Sequence, residues 1–128
     1  MNRKTGGTDI NYNEVQVLTR LRQDLPYWYL EAGNICRKYK TGGWKSSLMV
    51  VNAIGHLAEV AWHHPDIELS YALVLVKLQT HSANGITNKD FELAGKIEQL
   101  ICWQPGLDNT SALDGIPVDE RFTYINPD

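Results

Sequence analysis

The stretch Trp62–Asp90, WHHPDIELSYALVLVKLQTHSANGITNKD, decides how this chain folds. Pro65 ends whatever helix precedes it, because proline has no N–H to donate and pushes the residue before it toward extended backbone. Beyond it, Ile67–Tyr71 and Leu73–Thr80 read as two strands. Val74, Val76 and Leu78 alternate toward one face, and Leu73, Leu75, Lys77 and Gln79 toward the other. Asn84-Gly85 marks a turn within the loop His81–Ile86. Thr87-Asn88-Lys89-Asp90 then has the form of a capping box, with aspartate in place of the usual glutamate, and predicts a helix from Asn88 to Ile101.

Working backward, Trp44–Trp62 carries a helical pattern, with Val50, Ile54, Leu57 and Ala61 on one face. Leu48, Met49, Val51 and Ala53 widen the apolar surface past a single stripe. That breadth is expected of a helix covered on two sides, by the sheet and by a partner subunit, or of one buried in a single thick core. Upstream of Thr41-Gly42-Gly43, Tyr27–Glu31 and Ile35–Lys40 flank the turn signal Ala32-Gly33-Asn34 and predict a hairpin. Asn13 can cap a first helix reaching about Gln23, on which Val17, Leu18 and Leu21 recur at helical spacing. The order helix, two strands, helix, two strands, helix predicts an α+β sandwich. Residues 1–12 read as a flexible N-terminal arm, 13–102 as the domain and 103–128 as a C-terminal extension. The extension is broken by Pro105, Gly106, Gly115, Pro117 and Pro127. Its Trp103, Leu113, Ile116, Phe122, Tyr124 and Ile125 are too apolar for a solvated tail, so it is expected to lie on the domain or on a partner.

Composition bounds the function. The chain has 128 residues, 43% apolar and 21% charged, with a net charge of −3. That balance suits one globular domain and supplies no field for nucleic acid or anionic membrane. Arg37, Lys38, Lys40 and Lys45 are the nearest approach to a basic patch and read as a solvated strand edge. Cys36 and Cys102 have no metal-type spacing and read as reduced, small, buried hydrophobes. Leu48–Val51 and Ala72–Val76 are far too short to span a bilayer, and residues 1–13 lack the apolar core of a secretion signal, so a cytoplasmic location is expected.

The chemistry-bearing side chains gather at two places. His63 and His64 stand at the end of the long helix, and His81 stands at the end of the last strand. Helix C-termini favour imidazolium, and histidine is the side chain best suited to exchanging protons near neutral pH. A strand end facing a helix end can bring the three together around a small substrate. Taken singly, each histidine is more often an ordinary hydrogen-bonding residue. Asp90 is equally explained as the third helical position of the capping box, and Glu59 as an i,i+4 partner of His63. His56, Glu59 and His63 share a helix face. They do not have the spacing of two histidines around a glutamate that a helical zinc site uses, and no metal is assigned.

As a set, Glu59, His63-His64-Pro65, Tyr71, His81 and Asp90 resemble the motif of the pterin-4a-carbinolamine dehydratase family, with every spacing met. Thr80-His81, Gly85-Ile86-Thr87, Leu93 and Ala94 extend the resemblance, which covers roughly residues 13–101. It implies a four-stranded antiparallel sheet with helices on one face, assembled as a homodimer or homotetramer. It further implies loss of water from a 4a-hydroxy-tetrahydropterin, with His63 and His81 sharing the proton transfers. His64, Pro65, Tyr71, Glu59 and Asp90 would serve the bound pterin. The pterin is the substrate, and no cofactor is implied. The sequence departs from the family pattern at Ile67, Ala72 and Ser82, which flank the expected pocket. The extension, through Trp103-Gln104-Pro105-Gly106, Ala112-Leu113-Asp114-Gly115-Ile116-Pro117 and Arg121-Phe122-Thr123-Tyr124-Ile125, is similar to dehydratase-like proteins associated with α-carboxysomes. That likeness implies a RuBisCO assembly factor, chaperone-like and with weak or lost dehydratase activity. The alternative is a working dehydratase.

Overall fold

A computed structural model of the chain describes residues 10–126. Of the expected arm 1–12, residues 1–9 lie outside the described residues, while Asn11 and Tyr12 are bound to the domain. Asn11 Nδ2 donates to the Ala83 carbonyl and Tyr12 N–H to that of Ile86, and the Tyr12 ring meets Phe91 edge-on at 5.2 Å.

The first helix, α1 (Glu14–Asp24), starts at Asn13, whose side chain and that of Gln16 satisfy each other's backbone N–H groups. The hairpin β1 (Tyr29–Glu31) and β2 (Asn34–Thr41) follows, turning through Ala32 and Gly33 at φ 49° and 79°. Glycine carries the larger positive angle without strain, as such a tight turn requires. Next come α2 (Trp44–Ala61), β3 (Asp66–Ser70), β4 (Leu73–Leu78) and α3 (Asn88–Ile101). The strands form an antiparallel sheet in the order β1-β2-β4-β3, and a short fifth strand, β5 (Ile125–Asn126), pairs with the end of β2 at Lys40 and Thr41.

Register explains the layering. Ile35, Arg37 and Tyr39 stand opposite Leu78, Val76 and Val74, and all six are buried. The five apolar ones form one core with Val17 and Leu21 of α1, Val50 and Ile54 of α2, and Phe91, Ala94, Ile97 and Ile101 of α3, so the helices share one face of the sheet. Lys38 and Lys40 are exposed on the other face, where Leu73 and Leu75 are half-buried.

Two expectations need correction. The buried stripe of α2 is Ser47, Val50, Ile54 and Ala58, and Ala61 is exposed. Ser47 is buried because its hydroxyl lies 2.7 Å from that of Thr41 and donates to the Tyr71 carbonyl. Arg37 is not on a solvated edge. It is 2% exposed and forms a forked pair with Glu98 on α3. Lys38, Lys40 and Lys45 do face solvent. Among the described residues, no helix is long and apolar enough to cross a membrane.

Candidate functional site

The end of α2 sets the site. Trp62 closes the helix in the left-handed conformation, φ 51°, and its N–H and that of His63 reach back to carbonyls of the last turn. Glycine usually takes this position, and a residue with a Cβ pays about 1–2 kcal/mol for it. The reversal sends the two imidazoles to different partners. His63 Nε2 lies 2.7 Å from Asp90 Oδ1, while His64 Nε2 lies 2.7 Å from Glu59 Oε1 and its ring stacks edge-on against Trp62. Glu59 therefore pairs with His64, and the i,i+4 pairing with His63 expected from the sequence does not form.

Asp90 is the hub. It sits in the first turn of α3, fully buried, and it does serve the capping box, since its Oδ2 accepts from Thr87 N–H at 2.9 Å. The same Oδ2 accepts from the Thr80 hydroxyl at 2.8 Å. Its other oxygen faces His63, whose side chain is 14% exposed. The carboxylate that caps the helix is therefore also the one that holds His63.

His81 follows Thr80 directly and opens a 3-10 turn over His81–Ala83 that leaves β4. Thr80 thus links the loop of His81 to the carboxylate that holds His63. Pairing of Asp66 with Lys77 puts the start of β3, and hence His63, His64 and Pro65, at the same end of the sheet as Thr80 and His81. His81 is exposed, and its Nδ1 lies 3.1 Å from Gln79 Nε2. An amide nitrogen donates only, so Nδ1 accepts and Nε2 is the atom left for a ligand.

Tyr71 is not brought to this cluster. It lies in the β3–β4 turn at the opposite end of the sheet, roughly 20 Å away at the usual strand rise. There, 70% exposed, it lines a cleft with Trp44, Met49, Phe122 and Tyr124. Tyr71, expected from the family motif to serve the bound pterin, thus stands apart from His63 and Asp90 within this chain. His56 points to solvent from α2, and no group of three metal-type ligands gathers among the described residues.

A second polar centre escaped the sequence reading. Glu98 receives the Arg37 fork at 2.9 and 3.0 Å, the Tyr39 hydroxyl at 2.6 Å, Trp28 Nε1 at 2.8 Å and the Cys102 thiol at 3.3 Å. Burial pushes the carboxyl of Glu98 upward, but the hydrogen bonds from Arg37, Tyr39 and Trp28 outweigh it and hold it below the usual range. Burial, the Glu98 charge beside it and the bond to Glu98 push the Cys102 thiol up to about 11. This cluster fastens α3, and with it Asp90, to β2.

The sheet order, the helices on one face and the His63–Asp90 pair at one end of the sheet give the fold of a pterin dehydratase-like protein. The sequence profile described as pterin 4 alpha carbinolamine dehydratase matches residues 10–100, and the chain belongs to that family. It is 46% identical over 79 residues to an Aquifex aeolicus protein carrying the provisional name pterin-4-alpha-carbinolamine dehydratase, covering 62% of this chain and 80% of that one. A similarly named protein of Picosynechococcus is 41% identical over 87 residues, 68% of this chain and 94% of the relative. The crystal structure of a transcriptional coactivator/pterin dehydratase from Brucella melitensis superposes with a TM-score of 0.66 at 28% identity, covering 73% of this chain and all of that one (100%).

Proposed function

We propose that His63, Asp90 and His81 remove water from a 4a-hydroxy-tetrahydropterin. The single observation that carries this reading is the buried Asp90 carboxylate shared by His63 and Thr80, the residue before His81. A carboxylate behind an imidazole fixes its tautomer and stabilises the imidazolium formed when it takes a proton. With Nε2–H given to Asp90, His63 offers Nδ1 as the base for the N5 proton. His81, protonated at both nitrogens once the Gln79 amide turns its oxygen to take Nδ1–H, gives a proton from Nε2 to the departing hydroxyl. The C4a–O bond breaks, water leaves, and the N5 electron pair forms C4a=N5, with no change of oxidation state and no cofactor. His64 and Pro65 orient the pterin, with Glu59 holding His64. The test is turnover of 4a-hydroxy-tetrahydropterin by the purified protein. A rate no higher than buffer, or one untouched by His63→Ala and His81→Ala, removes the reading.

A second reading, assembly of RuBisCO in α-carboxysome biogenesis, is favoured by the extension. Trp103, Leu107, Leu113, Ile116 and Phe122 are large apolar side chains standing in solvent within one segment. Such surface is where a client protein would dock. Trp44, Met49 and Val60 on α2 are also exposed, which suits a homodimer or homotetramer. The setting would be the cytoplasm, with the carboxysome as its destination. Co-expression with RuBisCO tests it, and equal yields of assembled enzyme with and without this chain count against it.

A further inference from the structure

We propose that Thr80 is a positioning residue for the site, the last donor in a directed hydrogen-bond chain that locks His63 into its Nε2–H form. The dehydration role of this inference rests on the reading above, but its structural content does not.

The direction of the chain follows from counting protons. Thr80 Oγ1 lies 2.8 Å from Asp90 Oδ2 and 2.7 Å from Thr87 Oγ1. A carboxylate oxygen accepts, so the one Thr80 hydroxyl proton goes to Asp90. The Thr87 hydroxyl must then donate to Thr80, and its own oxygen accepts from Lys89 N–H at 3.2 Å. Thr87 N–H donates separately to Asp90 Oδ2 at 2.9 Å. Two donors thus converge on Oδ2, leaving Oδ1 to accept from His63 Nε2–H. Nδ1 is the remaining ring atom.

Burial makes the chain strict. Thr80 is 2% exposed, Thr87 1% and Asp90 0%, so no solvent is at hand to replace a lost donor. Thr80 also carries the other half of the site. Its carbonyl accepts from Ala83 N–H, and its N–H donates to Gly85, closing the loop that begins at His81. One residue therefore sets the position of both imidazoles without touching a substrate.

The test uses the full chain labelled with 15N-histidine, with long-range 1H–15N correlation spectra recorded where the rings are neutral. The expected result is a His63 with protonated Nε2 and unprotonated Nδ1. In Thr80→Val, the two nitrogen shifts should move toward each other as the tautomers mix, and Thr80→Ser should restore them. The Thr80 hydroxyl proton of the wild type should also be visible and slow to exchange. A His63 in the Nδ1–H form, a Thr80→Val spectrum like that of the wild type, or a Thr80 hydroxyl exchanging at the solvent rate overturns the proposal, and the first and third need no variant. On 4a-hydroxy-tetrahydropterin, kcat of Thr80→Val should fall about tenfold or more with KM little changed, as expected for loss of a transition-state interaction. An inactive wild type with the expected spectra would sink the dehydration reading alone.

Discussion

His63 Nε2 and Asp90 Oδ1 meet at 2.7 Å although 27 residues separate them, and this contact joins the end of one helix to the first turn of another. Replacing Asp90 by asparagine keeps the shape and removes the charge. The expected outcome is a loss of turnover of about 10²-fold or more, the scale seen when an imidazole loses its orienting carboxylate or its proton-transfer role. Steady-state kinetics on 4a-hydroxy-tetrahydropterin check this, with the far-UV spectrum showing whether the fold is kept.

Arg37 and Glu98 give a stability prediction. Glu98→Ala takes the counter-charge from a buried guanidinium and should cost about 3–5 kcal/mol in urea unfolding. Glu98→Gln tests the pH dependence. The folded carboxyl titrates below its ordinary 4.5, held there by Arg37, Tyr39 and Trp28 against the effect of burial. Its contribution is complete above the unfolded value and fades as pH falls through the folded one. Wild type should therefore lose more stability than Glu98→Gln between pH 6 and acid pH.

Cys102 is half-buried against Glu98, with its thiol pushed up to about 11. The thiolate is the form that reacts. Iodoacetamide should modify this residue slowly at pH 8 and faster as pH approaches that value, which mass spectrometry of the tryptic peptide can follow. Glu98→Gln removes the neighbouring charge and should speed the reaction at pH 8.

Gly42 faces the backbone of the extension. A Cβ placed there would stand 1.8 Å from the Thr123 carbonyl oxygen, and Gly42 N–H donates to Tyr124 at 2.8 Å. Gly42→Ala should detach β5 from β2 while leaving the histidine end alone. Hydrogen exchange should show faster exchange at Gly42, the donor of that bond, with Thr87 and Asp90 as protected as before.

Much of this was legible from the chain. Local signals named the capping box at Thr87, the hairpin turn around Ala32-Gly33-Asn34, of which Asn34 already belongs to β2, and a helix from about Asn88 to Ile101. The family motif pointed to His63, His64, His81 and Asp90; His63 meets Asp90, and Thr80, the residue before His81, bonds to the same carboxylate. What stayed hidden depends on contacts across the chain. Arg37 looks like an edge residue until Glu98, 61 positions later, is folded over it. Ser47 breaks an apolar stripe, yet two hydrogen bonds bury it. Glu59 lost its expected partner because the left-handed turn at Trp62 swings His63 away, and no pattern of polarity announces a tryptophan in that conformation. The pairing of β5 with β2 is two residues long, too brief for any periodicity.

That brief pairing changes what the extension is. The segment 103–124 leaves α3 at Cys102, whose N–H still bonds back to Glu98, and ends where β5 is stitched to β2. It is a handle fastened at both ends, not a free tail. A chain already closed into a ring has surrendered most of its freedom before anything touches it, so a body gripping Trp103, Leu113 or Phe122 would have little left to immobilise.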